Sequence, residues 1–94
     1  MEQRLGFEAR LAQTMLKLAR AFGKTLPDGR TLIEYHIRQG HLAEITGASR
    51  ENVNRQFATW KKAGLCDTVD GNYCLKDLGK WSALGQDYSP TIAN

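Results

Sequence analysis

Apolar residues near the start of the chain recur with the period of an α-helix. Leu11, Met15, Leu18 and Phe22 stand at positions i, i+4, i+7 and i+11, and Ala12, Leu16 and Ala19 widen this stripe. The spacing predicts an amphipathic helix over residues 8–22, which Gly23 ends. A stripe of this kind is typical of a helix that packs on a core, and the alternative is one half of a dimer interface.

A turn and a short strand are predicted after this helix. The sequence Pro27-Asp28-Gly29 is typical of a turn, and Thr31, Ile33, Tyr35 and Ile37 then alternate with more polar neighbours. His36 falls on the opposite side of this strand, where we expect contact with solvent rather than with a ligand.

The pattern then predicts two helices separated by Gly47. A helix over residues 39–46 would bury Leu42, Ala43 and Ile45, although Arg38 stands where a capping side chain is preferred. Ser49 is a good N-cap for a second, longer helix that runs to about Ala63 and is ended by Gly64. Its apolar positions Val53, Phe57 and Trp60 repeat at i, i+4 and i+7.

The last third of the chain predicts a hairpin and a short helix. Strands over residues 65–69 and 72–75 are joined by Asp70-Gly71, the signature of a two-residue type I′ turn. Leu75, Leu78 and Trp81 favour a helix over residues 76–84, which Gly85 ends before an irregular tail.

Three residues give the middle pair of helices a defined geometry. A small residue, Ala43, lets two helices cross closely, Gly47 supplies a left-handed turn, and Val53 fills the angle between the helices. This spacing indicates a helix-turn-helix. The predicted fold is mainly α (α+β): a winged helix-turn-helix with a three-helix core, a two-stranded β-hairpin wing and a short C-terminal helix.

Composition and charge narrow the class of protein. The 94 residues, 41% of them hydrophobic, suit one small domain. The net charge of +3 is a mild basic bias, and residues 49–62 hold four cations but one acid, which favours a polyanionic partner. No apolar run approaches the length of a membrane span and no secretory signal begins the chain, so we expect a cytoplasmic protein.

The residues that could support catalysis or metal binding are scattered. His36, His41, Cys66 and Cys74 lie in separate predicted elements, without a CxxC motif, a phosphate-binding loop or a nucleophile motif. The two cysteines flank the predicted hairpin, where they could face each other, although packing as small apolar groups is the favoured interpretation. We therefore expect no enzyme, no metal and no cofactor.

Two blocks of sequence carry a family resemblance. Residues 10–16, Arg-Leu-Ala-Gln-Thr-Met-Leu, and residues 47–55, Gly-Ala-Ser-Arg-Glu-Asn-Val-Asn-Arg, together resemble the C-terminal winged helix-turn-helix domain of the Crp-Fnr family of bacterial transcription regulators. The resemblance implies sequence-specific binding of double-stranded DNA, with the helix over residues 49–63 in the major groove. It also implies that Arg50, Glu51 and Arg55 reach base edges.

The chemistry of these side chains agrees with that assignment. A guanidinium matches the O6/N7 acceptor pair of guanine, and a carboxylate can accept from the N4 amine of cytosine. Glu51 and Arg55 stand at i and i+4, so each could orient the other. The alternative is an exposed charged helix face with no ligand.

Neighbouring residues complete the predicted interface. Asn52 and Asn54 replace the residues usual in the family and are further candidates for base contact. Candidates for phosphate contact are Ser49, Arg38, Lys61 and Lys62, to which the wing residues Asn72 and Lys76 could add.

The resemblance also bears on domain boundaries and partners. It predicts a hinge or the remnant of a dimerisation helix over residues 1–7, the DNA-binding domain over 8–84 and an irregular tail over 85–94. Seven residues are too few for the effector-binding barrel and dimerisation helix that precede this domain in the family, so the chain is either a cut piece or a short standalone protein. The implied partners are double-stranded DNA, a second copy in the intact regulator, and RNA polymerase as a further candidate. The competing hypothesis is a winged-helix protein-interaction module that has lost DNA binding.

Overall fold

The computed structural model of the chain describes residues 6–86. The helices are α1 (Phe7–Phe22), α2 (Gln39–Thr46), α3 (Arg50–Lys62) and α4 (Leu78–Leu84), and the strands are β1 (Gly23–Thr25), β2 (Thr31–Ile33), β3 (Cys66–Val69) and β4 (Asn72–Leu75). The winged helix-turn-helix predicted from the sequence is confirmed. The predictions for residues 1–5 and for the tail beyond residue 86 lie outside the described residues.

The wing belongs to a larger sheet than the sequence predicted. The four strands form one antiparallel sheet in the order β1-β2-β4-β3, in which Thr31 pairs with Leu75 and so joins the first hairpin to the wing. Strand β1, which the sequence pattern missed, follows α1 without a connecting loop. Gly23 permits this junction, because a Cβ there would collide with the carbonyl oxygen of Ala19.

The predicted strand over residues 31–37 is shorter than expected. It ends at Ile33, and the next N–H, that of Glu34, donates to the carbonyl of Phe22 over 2.9 Å. Tyr35 lies outside the ladder and stacks on Phe22 with ring centroids 4.7 Å apart. Phe22, predicted to be a core residue, is 43% exposed, because its ring stacks on Tyr35 at the surface rather than packing in the core.

Aromatic side chains hold α3 against the wing and α4. Trp60 and Trp81 meet edge to face at 4.6 Å, and Phe57 stacks on Tyr73 of β4 at 4.4 Å. The Trp81 indole donates to the Leu65 carbonyl over 3.1 Å, so its polar edge is satisfied within the core. The orientation of the wing relative to α3 is thus set by a buried aromatic cluster.

Helix α2 buries two of the three residues predicted to face the core. Leu42 and Ala43 are buried, but Ile45 is 51% exposed and Thr46 takes the remaining buried position. Leu42 and Thr46 are four residues apart and share a face, whereas Ile45 projects to one side of it. The Thr46 hydroxyl donates to the Leu42 carbonyl over 2.7 Å, and the Thr46 carbonyl accepts from Nε of Arg10 over 3.1 Å.

The short last helix begins two residues later than predicted. Asp77 is its N-cap, in a left-handed conformation, and its carboxylate accepts from the backbone N–H of Lys80. This cap fixes the start at Leu78, and Trp81 is the buried residue of the helix.

Candidate nucleic-acid interface

The turn between α2 and α3 has the geometry that its sequence predicted. Gly47 adopts the left-handed conformation, with φ of 74°, and donates its N–H to the Ala43 carbonyl. Ala43 and Val53 are both buried at this junction. Gly47 therefore supplies the predicted left-handed turn, and Ala43 and Val53 are buried, as their predicted packing at this junction requires.

Ser49 caps α3 as predicted. Its side-chain oxygen accepts from the backbone N–H of Asn52 over 3.1 Å. The helix buries Val53, Phe57 and Trp60 along one side. All five residues predicted to contact bases are exposed, namely Arg50, Glu51, Asn52, Asn54 and Arg55. Glu51, Asn52 and Arg55 lie on the side away from the core, and Arg50 and Asn54 lie at its edges.

The partner of Arg55 differs from the prediction. Its Nη1 donates to Oδ1 of Asn52 over 3.2 Å, and within residues 6–86 no ion pair joins it to Glu51. Residues three and four positions away are both neighbours on a helix, so Asn52 competes with Glu51 for the guanidinium. The prediction that Glu51 and Arg55 orient each other is therefore wrong. Within residues 6–86, the Glu51 carboxylate has no protein partner.

Gln39 connects the three elements that surround this surface. Its Nε2 lies 3.4 Å from Oδ1 of Asn54 on α3 and 3.4 Å from the hydroxyl of Tyr73 on β4. Burial raises the pKa of the Tyr73 phenol, so this hydroxyl stays protonated. Sequence reasoning assigned Gln39 no role, because its two partners lie 15 and 34 positions away and no periodicity predicts such contacts.

The predicted phosphate-contacting residues fall into two groups. Ser49 lines a shallow hollow with Arg50 and Gln39, and Arg38 lies at the start of α2 beside Arg50 in a neighbouring groove. Lys61 and Lys62 are exposed at the other end of α3, about 18 Å along the helix axis from Ser49. The structure therefore brings Ser49 and Arg38 to one end of the exposed face and the two lysines to the other.

The two cysteines are free thiols that pack in the interior. Cys66 pairs across the hairpin with Leu75, and Cys74 pairs with Asp67, so the thiols are not direct cross-strand partners. The packing interpretation is confirmed. Burial raises the pKa of Cys66 to about 11 and also raises that of Cys74, so both thiols are poor nucleophiles near neutral pH.

Two further properties concern residues 6–86 only. They contain no cluster of three or more His, Cys, Asp or Glu side chains arranged to hold a metal ion. Within the same range, every helix is too short or too polar to cross a bilayer.

Comparison with known proteins decides the family. The model of the Crp-like helix-turn-helix domain matches residues 9–82, which is most of the chain. The chain belongs to this family. Regulators of the CRP family bind DNA and regulate transcription. Comparison with curated protein sequences gave no match.

Solved structures of CRP-family regulators share the fold of this Crp-like domain. The CO-dependent transcription factor CooA from Carboxydothermus hydrogenoformans is 26% identical with a TM-score of 0.74, over 83% of this chain and 36% of that protein. Reduced CprK without ligand is 24% identical with a TM-score of 0.75, over 84% of this chain and 38% of CprK. A CRP-family transcriptional regulator from Thermus thermophilus is 23% identical with a TM-score of 0.75, over 87% and 41% of the two chains. The Crp-like domain thus spans about two-fifths or less of the length of these proteins.

Proposed function

We propose that this chain is the DNA-reading domain of a Crp-type transcription regulator, which binds double-stranded DNA sequence-specifically with α3 in the major groove. The observation that carries the proposal is the two-sided character of α3. Val53, Phe57 and Trp60 anchor one side in the core, the opposite side exposes Glu51 and Arg55, and Arg50 is exposed at the first position of the helix. At 13 residues, α3 is about 20 Å long, and a B-DNA major groove admits a helix of this kind.

Each exposed group has a complementary target in that groove. Arg50 and Arg55 would donate to the O6 and N7 acceptors of guanine, and Glu51 would accept from the N4 amine of cytosine. Asn52 and Asn54 would present amide groups between these contacts. Because Glu51 has no partner within residues 6–86, no intramolecular ion pair has to break before it binds a base.

Contacts at both ends of α3 would position it on the duplex. Ser49 and Arg38 would bind phosphates at the N-terminal end, and Lys61 and Lys62 would do so at the other. In the intact regulator a second copy would read the other half of a roughly palindromic site. RNA polymerase is a candidate further partner, and the cytoplasm is the expected compartment.

Two substitutions separate base reading from phosphate binding. We expect Arg55→Ala to lose about 1 to 3 kcal/mol of discrimination at one base pair, because a bidentate contact to guanine is lost. We expect Lys61→Ala to weaken binding to all sequences alike and to flatten the salt dependence. Titrations at two salt concentrations would use a duplex selected from a random pool and a scrambled duplex of equal length.

A matched control is available on another part of the surface. Arg20 is exposed on α1 beside Gly85, so Arg20→Ala removes one positive charge away from α3 and should affect both duplexes slightly and equally. Equal losses on the selected and scrambled duplexes for Arg55→Ala would contradict direct base reading.

A protein-interaction module is the second candidate. The stacked rings of Phe22 and Tyr35 are 43% and 41% exposed, and such a pair suits contact with another protein. This alternative predicts no binding to mixed-sequence DNA at low salt together with concentration-dependent self-association. A gel-shift assay combined with sedimentation would distinguish the two.

A further inference from the structure

Gln39 lies where α2, α3 and the wing meet. Its side chain is half-buried, and it lines both the hollow at the N-terminal end of α3 and the groove between α3 and the wing. Asn54, which is exposed, lines the same two depressions. The contact between these two side chains therefore lies at the edge of the exposed face of α3, on the side of the wing.

The Gln39 amide is anchored at two points. Its Nε2 carries two protons, and it donates to Oδ1 of Asn54 over 3.4 Å and to the hydroxyl of Tyr73 over 3.4 Å. Tyr73 is held in turn by its stack on Phe57, with ring centroids 4.4 Å apart. A side chain fixed in the buried cluster of the wing thus orients Gln39, and Gln39 orients Asn54.

This contact sets the hydrogen-bonding character of Asn54. Because Oδ1 is turned toward a donor on Gln39, Nδ2 lies on the other side of the amide group, and within residues 6–86 it has no protein acceptor. A free asparagine amide offers one donor and one acceptor, which together match the edge of adenine. With its oxygen engaged, Asn54 offers mainly a donor.

We propose that Gln39 is a positioning residue that makes Asn54 select a base with acceptors in the major groove, guanine in preference to cytosine. The inference rests on the proposed function, in which α3 occupies that groove. Guanine presents the acceptors O6 and N7, whereas cytosine presents the donor N4, which would oppose the protons on Nδ2 of Asn54. Gln39 thereby determines specificity at a base pair without contacting it.

The base pair that Asn54 reads is identified first. The duplex selected from a random pool is varied one base pair at a time, and the pair at which Asn54→Ala no longer discriminates is assigned to Asn54. We expect the contacted base to be guanine. Inversion of this pair, which puts cytosine in its place, should weaken binding by the unsubstituted chain about threefold to tenfold, the value of one hydrogen bond.

Two substitutions of Gln39 have different expected effects at this pair. Gln39→Ala leaves the Asn54 amide able to turn either way, so the preference for guanine over cytosine should fall about threefold. Gln39→Glu replaces a donor by an acceptor, which favours Nδ2 of Asn54 as its partner and turns Oδ1 outward. The preference should then reverse toward cytosine. The added negative charge weakens binding to every duplex, and this common factor cancels in the ratio of affinities.

Two further variants separate positioning from a structural role. Tyr73→Phe keeps the ring on Phe57 and removes the hydroxyl, so it should shift the preference in the same direction as Gln39→Ala and add nothing in the double variant. Gln13 is also half-buried, and its Nε2 donates to the Gly85 carbonyl over 2.8 Å, away from α3. Gln13→Ala is therefore the matched control, which should lower the Tm and leave every base preference unchanged.

The results distinguish this inference from the proposed function. A sequence-selective chain whose preference does not reverse in Gln39→Glu overturns the inference and leaves the proposed function standing. The same holds if Gln39→Ala weakens all duplexes equally, because Gln39 would then contact the DNA backbone. If Gln39→Ala does not fold, Gln39→Glu and Tyr73→Phe still decide the matter. Equal affinity of the unsubstituted chain for the selected and scrambled duplexes overturns both.

Discussion

The exposed side chains of α3 differ in the groups that they can still offer to DNA. A guanidinium only donates, so the contact from Arg55 fixes the amide of Asn52 with its oxygen toward Arg55 and its nitrogen free to donate. Oδ1 of Asn54 likewise accepts from Gln39. The face therefore presents mainly hydrogen-bond donors, with Glu51 as its acceptor. We infer that Asn52 is a positioning residue for Arg55, in the role that the sequence analysis gave to Glu51.

Substitution of Asn52 tests this positioning role. We expect Asn52→Ala to reduce discrimination at the base pair read by Arg55 about threefold to tenfold, because the guanidinium regains rotational freedom. The free energy of unfolding should change by less than about 0.5 kcal/mol, since the contact is exposed and the Ser49 cap bonds to the Asn52 backbone. The measurement is the ratio of affinities for the selected duplex and for duplexes with single base-pair changes.

Asn52→Asp is the control for this prediction. It keeps an acceptor for Arg55 and should retain discrimination, while the added negative charge weakens binding to every duplex. If Asn52→Ala weakened all duplexes equally, Asn52 would contact the DNA backbone, and if it lost discrimination at a base pair other than the one read by Arg55, Asn52 would read that base pair itself. Either result would contradict a positioning role for Asn52.

For individual residues of α3, the sequence predicted which side chains are exposed better than it predicted which side chains contact each other. Arg50, Glu51 and Arg55 are exposed, as their predicted place on an outward-facing surface requires. The 3.6-residue period could not choose between Glu51 and Asn52 as the partner of Arg55, since both are within reach and side-chain rotamers decide the outcome. Whether these residues contact bases remains a prediction.

At the scale of the secondary-structure elements, the two glycines of α2 and its C-cap differ in backbone conformation. Gly47 needs its left-handed conformation to end α2, and a Cβ there would meet no atom within 4 Å. Gly40 lies inside the helix, where a Cβ would make ordinary contact with Arg50. An added methyl group is therefore unfavourable at Gly47 through backbone strain alone and favourable at Gly40 through helix propensity.

The paired substitutions have opposite expected signs. Gly47→Ala should lower the free energy of unfolding by about 1 kcal/mol, and Gly40→Ala should raise it by about 0.5 kcal/mol. Urea unfolding monitored by the two buried tryptophans would measure both. Gly47→Asn is the control, because asparagine tolerates the left-handed region better than alanine and should cost less. A loss of stability in Gly40→Ala would contradict the open environment assigned to that site.

Element prediction succeeded where the signal was local. The helices of the helix-turn-helix and the wing hairpin follow from periodicity, the Ser49 cap and the Asp70-Gly71 turn, whose residues both have positive φ. Strand β1 has three exposed residues and so no alternation to detect. The four-stranded sheet forms because β2 pairs with β4, and the paired residues are more than 40 positions apart, so no local pattern encodes this pairing. Ile45 was misplaced because an eight-residue helix with few apolar positions leaves its buried face poorly defined.

In the whole molecule, α3 and the wing are joined through one buried cluster. Phe57 stacks on Tyr73, and Cys66 lies in the same core, so part of the wing's inner face is apolar interior rather than surface. Burial raises the pKa of Cys66, Tyr73 and Cys74, three groups of the wing strands. Deprotonation of any of them places a charge where the fold has little water, so unfolding and proton release are coupled.

The stability of the domain should therefore fall in alkaline solution. Cys66 is protonated in the folded protein up to about pH 11 because of its burial, whereas an exposed thiol has a pKa of 9.0. Between these two pH values the unfolded state holds fewer protons than the folded state, so the free energy of unfolding declines as the pH rises. Below about pH 9 the Cys66 thiol is protonated in both states, and its full contribution to the free energy of unfolding is present. Urea unfolding across this range would show the decline.

Cys66→Ala should start from a lower stability near neutral pH, since a buried group is removed, but should show a shallower decline. A slope as steep as that of the unsubstituted chain would mean that Cys66 is hydrated in the folded state, and Tyr73→Phe in the same experiment would test the remaining contribution of the wing.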